Sequence, residues 1–310
     1  MTQPLETLQN KRLSRRGLLY GLGGLGASLG LGGSLSGCPA MPNLDVAILN
    51  FALNLEYLEA EYYLRATGQS LTAVGDNPGT VTGGREVDFD RSYWRMYAEE
   101  IAEHERQHVS YLRSALGDDA VDRPAIDFTN AFRAVGQAAG LGDDFDPFSS
   151  EFNFLLGAFL FEDVGVTAYK GGVPLLSNPG YVEAAAGILA VEAYHAAMIR
   201  TTIWNTGDPQ VVIDIGLIKD YQSGLAKDHT TEADAISDAR DSLDGSSDLD
   251  QPIASGGESN IVPSDASGIA FSRSVAQVHN IAYLTAESGV TAGGFFPNGT
   301  NNPNPAFTTT

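Results

Sequence analysis

The chain has 310 residues, enough for one large or two ordinary domains, and its 39 acidic against 18 basic side chains set a formal net charge of −21. That surplus excludes a nucleic-acid reader that works by neutralising phosphates, and a single cysteine excludes a disulfide scaffold or a cysteine-based zinc site. With 43% hydrophobic residues the chain can bury a sizeable core, which argues against wholesale disorder.

The first 38 residues differ in kind from the rest. A polar start carries Lys11, Arg12, Arg15 and Arg16, a glycine- and leucine-rich run follows from Gly17 to Leu35, and Cys38 closes it. This is the charged and then apolar layout of an export signal. Ser14-Arg15-Arg16-Gly17-Leu18-Leu19 resembles the twin-arginine motif, and Leu35-Ser36-Gly37-Cys38 resembles a lipobox whose cysteine becomes the lipidated first residue. The competing reading, a single membrane-spanning anchor, is weakened by the glycine content, which makes the run poorly helical and only mildly hydrophobic. Cleavage before Cys38 would remove four basic residues and Glu6, leaving 14 basic and 38 acidic side chains and a net charge of −24. The expected location is periplasmic or in the cell envelope, with a lipid tether.

Beyond this segment, apolar spacing predicts four long helices, at about Leu44–Thr67, Arg91–Leu116, Glu151–Lys170 and Tyr181–Thr206. Pro42, Gly68, Gly117, Gly171-Gly172 and Pro179-Gly180 bound them. The link from the first to the second is long, whereas the short link from the third to the fourth predicts an antiparallel pair. A weaker helix is expected near Ala125–Ala139. Residues 207–310 read as an acidic extension of mixed helix and loop, with short helices near Val211–Leu225 and Ser272–Ala286 around a Ser/Asp/Gly-rich linker at 237–268. The fold class is therefore all-α, a four-helix bundle over 44–206 followed by that extension.

Within the second helix Ile101, Glu105, His108 and Leu112 fall at steps of 4, 3 and 4, which puts them on one face, and Ile188, Glu192, His195 and Ile199 repeat those steps in the fourth. The first and third helices share another pattern: Leu49, Ala52, Glu56 and Tyr63 match Leu155, Ala158, Glu162 and Tyr169 at a constant offset of 106. A lone Glu-x-x-His is most often an ordinary surface glutamate beside a core histidine. Here the surroundings of Glu162 and Glu192 are so apolar that unpaired carboxylates there would be costly to bury, and four of them meeting in one core would repel. Two divalent cations remove both difficulties, since four glutamates and two neutral imidazoles balance two such ions.

This arrangement resembles the ferritin-like superfamily, and the run Leu49 to Tyr63 resembles its branch that includes the plant desiccation-related proteins. Gly293-Gly294-Phe295-Phe296-Pro297-Asn298-Gly299 is similar to the C-terminal end of that group. The resemblance implies a ligand set of Glu56, Glu105, His108, Glu162, Glu192 and His195 for a pair of Fe or Mn ions. Zinc is compatible with the same donors. Glu59 is an alternative or additional ligand, although the internal match favours Glu56, because Glu59 aligns with Gly165. Tyr63 and Tyr169 are expected either to hydrogen-bond ligating carboxylates or to serve packing alone. Glu103 and His104 adjoin the motif and are expected on the solvent side.

Such a site allows ferroxidase or iron-handling activity, peroxide destruction, or oxygenation of an organic substrate, in the context of stress or desiccation. A protective protein without turnover is the alternative from another class. The expected partners are metal ions with O2 or peroxide, and the membrane through the lipid anchor. A tether and about a hundred residues after the fourth helix disfavour a closed storage cage, and the oligomeric state is open. Asp238–Gly245 spaces its acidic residues three apart where an EF-hand loop needs two, and His229 and His279 have no partner at ligand spacing.

Overall fold

The computed structural model describes residues 43–206, 229–245, 248–255 and 257–310. The export-signal segment, with Arg15, Arg16 and Cys38, and the helix expected at Val211–Leu225 lie outside the described residues. The helices are α1 (Asp45–Ala66), α2 (Ser92–Leu116), α3 (Phe128–Ala138), α4 (Glu151–Gly172), α5 (Pro179–Thr206), α6 (Thr230–Asp244) and α7 (Val275–Ala282). Two-residue strands β1 (Val81–Thr82) and β2 (Ile126–Asp127) pair in parallel, and β3 (Ala254–Ser255) and β4 (Glu258–Ser259) pair antiparallel. The predicted all-α bundle is the fold observed.

Residue pairings give the directions of the helices. Asn50 meets Asp119 and Val121 while Tyr57 meets Arg113, so α1 and α2 run antiparallel. Asp163 meets Arg200 and Gly165 lies against Glu192, so α4 and α5 do the same, joined by the short 3-10 turn Val173–Leu175. Tyr62 reaches Phe154 while Glu56 meets Tyr169, which sets α1 antiparallel to α4.

Helix α1 is buried around almost its whole circumference, an unusual position for a helix with five polar residues between 50 and 61. Each of the flanking ones anchors something. Asn50 donates to the Asp119 carbonyl at 2.9 Å and accepts from the Val121 amide at 3.0 Å. Asn54 exchanges two bonds with the Asn301 backbone, at 2.7 and 2.9 Å. Glu61 pairs with Arg65 at 2.8 Å and with Arg123. Helix α1 thus sits inside the molecule with loops and the chain's end clasped around it, the buried polar groups of Asn50, Asn54 and Glu61 paired as burial requires.

The chain after α5 departs from the linker expected at 237–268. Residues 237–244 belong to α6, which packs on α4, and the described residues from 43 onward make one compact unit. Only Val275–Ala282 of the helix expected at Ser272–Ala286 is helical; Ser274 caps it, its hydroxyl accepting from the Gln277 amide at 3.3 Å. Three fully buried arginines cause the departure. Arg200 grips Asp163 with Nε at 3.0 Å and Nη2 at 2.8 Å and donates to the carbonyls of Asn260 and Gln251. Arg240 of α6 reaches the same carboxylate at 3.0 Å and Asp250 at 2.8 Å. Arg273 holds Asp244 at 2.7 Å, Thr167 at 2.7 Å and also Asp250. Several acidic residues of the tail are therefore interior partners of guanidiniums. Periodicity could not show this, because a buried arginine leaves no apolar stripe.

The Gly293–Gly299 segment ends in the core. A Cβ on Gly294 (φ 48°) would lie 2.6 Å from the Ala282 carbonyl, so only glycine lets the backbone pass that close. Past it, Phe295 packs edge-on against Phe132 and Phe161, each at 5.0 Å between ring centres. Burying each phenylalanine contributes roughly 1.5–3 kcal/mol.

Candidate metal centre

The spacing of 4, 3 and 4 holds in three dimensions: Ile101, Glu105, His108 and Leu112 of α2, and Ile188, Glu192, His195 and Ile199 of α5, are all buried. Glu56 of α1 and Glu162 of α4 join them from the other side, and all four glutamates are at most 1% exposed. Two constellations result. In the first, His108 Nδ1 faces Glu56 Oε2 at 3.2 Å, Glu105 Oε2 at 3.4 Å and Glu192 Oε1 at 3.4 Å. In the second, His195 Nδ1 faces Glu105 Oε1 at 3.2 Å and Glu162 Oε2 at 3.3 Å. Glu105 turns one oxygen to each, so it spans the pair. Within each constellation the donor atoms lie within 4.8 Å of one another, the spacing of groups able to share one ion.

The donors fit a cation better than they fit each other. Both oxygens of Glu105, both of Glu192, Glu162 Oε2 and His195 Nδ1 are buried without a hydrogen-bond partner. Orphaned buried carboxylate oxygens are rare in native proteins because each carries a desolvation penalty of about 1–3 kcal/mol or more. A second sign is Gly165. A Cβ there would come within 2.5 Å of Glu192 Oε2 and 3.4 Å of Glu59 Oε1, so the missing side chain is what gives these carboxylates room.

The electrostatics follow from the crowding. Burial pushes Glu56 up to about 7 and Glu162 upward as well. Burial and the neighbouring carboxylates hold Glu192 and Glu59 well above the usual range. Glu105 is the exception: burial acts upward, but the imidazoles of His108 and His195 close beside it outweigh burial and hold the carboxyl far below its ordinary value. Burial disfavours charge on His195, yet Glu162 and Glu105 push the imidazole up to about 11, and Glu56, Glu105 and Glu192 raise His108 further still. A site that must borrow protons to offset its own negative charge is one that a divalent cation would suit.

Glu59 is buried but lies behind Glu192, outside both constellations. The two tyrosines cross over. Tyr63 of α1 donates to Glu162 Oε1 of α4, and Tyr169 of α4 donates to Glu56 Oε1 of α1. Because α1 and α4 are antiparallel, a tyrosine two turns after each glutamate lands beside the partner helix's glutamate. The offset of 106 in the sequence is thus one pattern used twice about a local twofold. Each bond takes one carboxylate oxygen and leaves the other facing the histidines.

His104 corrects a sequence expectation. It is half-buried and not on the solvent side, with Nδ1 2.9 Å from Nε2 of His195. Position 104 is one turn before His108 and three residues after Ile101, so it sits at the edge of the buried stripe, a relation that helical spacing could have shown. His229 and His279 also prove partnered: His229 Nδ1 lies 2.6 Å from Glu232, and His279 is buried beside Thr300 at 3.2 Å.

A helical bundle with four glutamates and two histidines converging in its core defines a carboxylate–histidine site compatible with metal binding. The family model for the ferritin-like domain matches residues 44–205, and the chain belongs to that family. It is 31% identical over 181 residues to the desiccation-related protein PCC13-62 of Craterostigma plantagineum, an alignment covering 55% of this chain and 56% of that protein. The chain therefore spans just over half the length of that relative. It is 26% identical over 276 residues to the ferritin-like catalase Nec2 of Nesocodon mauritianus, covering 83% of each chain. No solved structure matches.

Proposed function

We propose that the chain is an exported di-metal carboxylate protein that binds two Fe or Mn ions and uses them on peroxide or O2, with peroxide disproportionation the first activity to test. The observation that carries this reading is the convergence of five orphaned buried donor atoms, Glu105 Oε1 and Oε2, Glu162 Oε2, Glu192 Oε1 and His195 Nδ1, on two constellations that share Glu105. Glu56, Glu105, His108 and Glu192 would hold one ion, and Glu105, Glu162 and His195 the other. Such ions supply redox couples and positions at which a small oxygen species can bind. The chain's own residues do the rest: Tyr63 and Tyr169 fix the outer oxygens of Glu162 and Glu56, and the surrounding apolar helices keep water away. The relative named a ferritin-like catalase, aligned over most of both chains, favours peroxide among the three chemistries.

Metal analysis tests this directly. Protein purified in the presence of Fe and Mn should carry about two ions per chain, and the Glu105→Ala/Glu192→Ala double variant should carry none. A folded wild-type chain without metal would sink the reading and leave a protective protein without turnover, the alternative that the name of the desiccation-related relative supports.

Export rests on Arg15, Arg16 and Cys38 alone. Cys38→Ser is expected to move the protein from the membrane fraction to the soluble envelope fraction; retention in the membrane would defeat the lipid-anchor assignment.

A further inference from the structure

The two constellations differ in how their histidine is held. Each imidazole turns Nδ1 inward to carboxylate oxygens. Among the described residues, His195 also has a ring partner on its other nitrogen, because Nε2 lies 2.9 Å from Nδ1 of His104. The ring centres are 5.2 Å apart and the planes only 11° apart. With two ring nitrogens so close, this geometry places the imidazoles edge to edge in nearly one plane, the arrangement of a straight N–H···N hydrogen bond and not of stacked faces.

The consequence is one of tautomers. An imidazole that offers Nδ1 to a cation must carry its proton on Nε2. That proton can then be donated to His104 Nδ1, provided that His104 keeps its own proton on Nε2. The partner for a ligating histidine is commonly a carboxylate, a backbone carbonyl or water. Here a neutral imidazole does the task, adding no charge to a core that already gathers four glutamates.

We infer that His104 is a positioning residue: it accepts the Nε2 proton of His195, fixes that ring's tautomer and plane, and so makes the second constellation's affinity for a divalent cation depend on it while the first does not. This rests on the reading of the site as a metal centre. It also predicts that the two cation sites are unequal, although the sequence motifs that build them are the same.

Isosteric variants of the full chain test it. Asn at position 104 can offer Oδ1 where Nδ1 stands, whereas Leu has the same shape and no acceptor. Titration with Mn²⁺ should show two sites in wild type. His104→Leu should weaken one of them by about 10–100-fold, the range found for residues that orient metal ligands, and leave the other unchanged. His104→Asn should restore most of the loss. A second readout needs no metal: in chelated protein labelled with ¹⁵N at histidine, the His195 Nε2–H proton should give a downfield resonance protected from exchange. It should persist in H104N and vanish in H104L. Two undiminished sites in H104L, equal weakening of both, or an unprotected Nε2–H in wild type would each overturn the proposal. A wild-type chain that takes up no Mn²⁺ and no Fe²⁺ would instead defeat the metal reading itself, and the proposal with it.

Discussion

At the scale of single residues, one hydrogen atom at position 165 decides how many carboxylates the core can hold. Gly165 lies where the internal repeat places the counterpart of Glu59, and a methyl group there would meet Glu192 Oε2 at 2.5 Å. Overpacking of this kind typically costs about 1–3 kcal/mol when the neighbours are fixed. Gly165→Ala is therefore expected to push Glu192 out of position. Metal content should fall by about one ion per chain while the far-ultraviolet circular dichroism stays helical; an unchanged content would show that Glu192 needs no such space. Glu105 is the complementary case. It is the carboxylate that the histidines hold ionised against burial, and it is the one that turns an oxygen to each of them.

At the scale of elements, the bundle and the extension are joined by charge as much as by apolar contact. Asp163 of α4 takes Arg200 of α5 and Arg240 of α6, and Arg240 passes the link through Asp250 to Arg273, just before α7. Removing one partner of a buried pair leaves the other uncompensated, at about 3–5 kcal/mol. Asp163→Ala takes the carboxylate from Arg200 and leaves Arg240 with Asp250 alone, so the free energy of unfolding measured by denaturant titration should drop by an amount in that range, with α6 losing hydrogen-exchange protection first. A variant as stable as wild type would mean that the arginines find other partners, and the network would then be incidental to the fold.

At the scale of the whole molecule, proton uptake and cation uptake compete for the same core. Without cations, Glu56 keeps its proton up to about pH 7 and His195 up to about pH 11, so loading the site must expel protons. Affinity for Mn²⁺ is expected to fall as pH drops from 8 to 5. Calorimetric titrations in buffers of different protonation enthalpy should show net proton release; uptake independent of pH would contradict it. Folding stability has the matching sign. Glu56 is protonated in the folded, cation-free state between about 4.5 and 7, where the unfolded chain has lost that proton. Its contribution is fully present below 4.5 and is lost as pH rises through 7. The chelated protein should thus be destabilised by Glu56 above pH 7, and bound cations should offset that loss.

The sequence by itself determined the four long helices, the two Glu-x-x-His faces and the Glu-Tyr pattern repeated at an offset of 106. Each is local: spacing along a helix fixes which side chains share a face, whatever that face later meets. Tertiary structure decided what those faces met. The antiparallel setting of α1 against α4 crossed the tyrosines over, so that each serves the other helix's glutamate. The distance between α2 and α5 brought His104 to His195, a pair 91 residues apart with no shared motif. The arginine–aspartate chain that draws α6 and the tail into the core was likewise invisible, because a charged residue in a polar stretch reads as solvated until a partner of opposite charge is folded against it. Local periodicity carries burial; only the folded chain carries pairing.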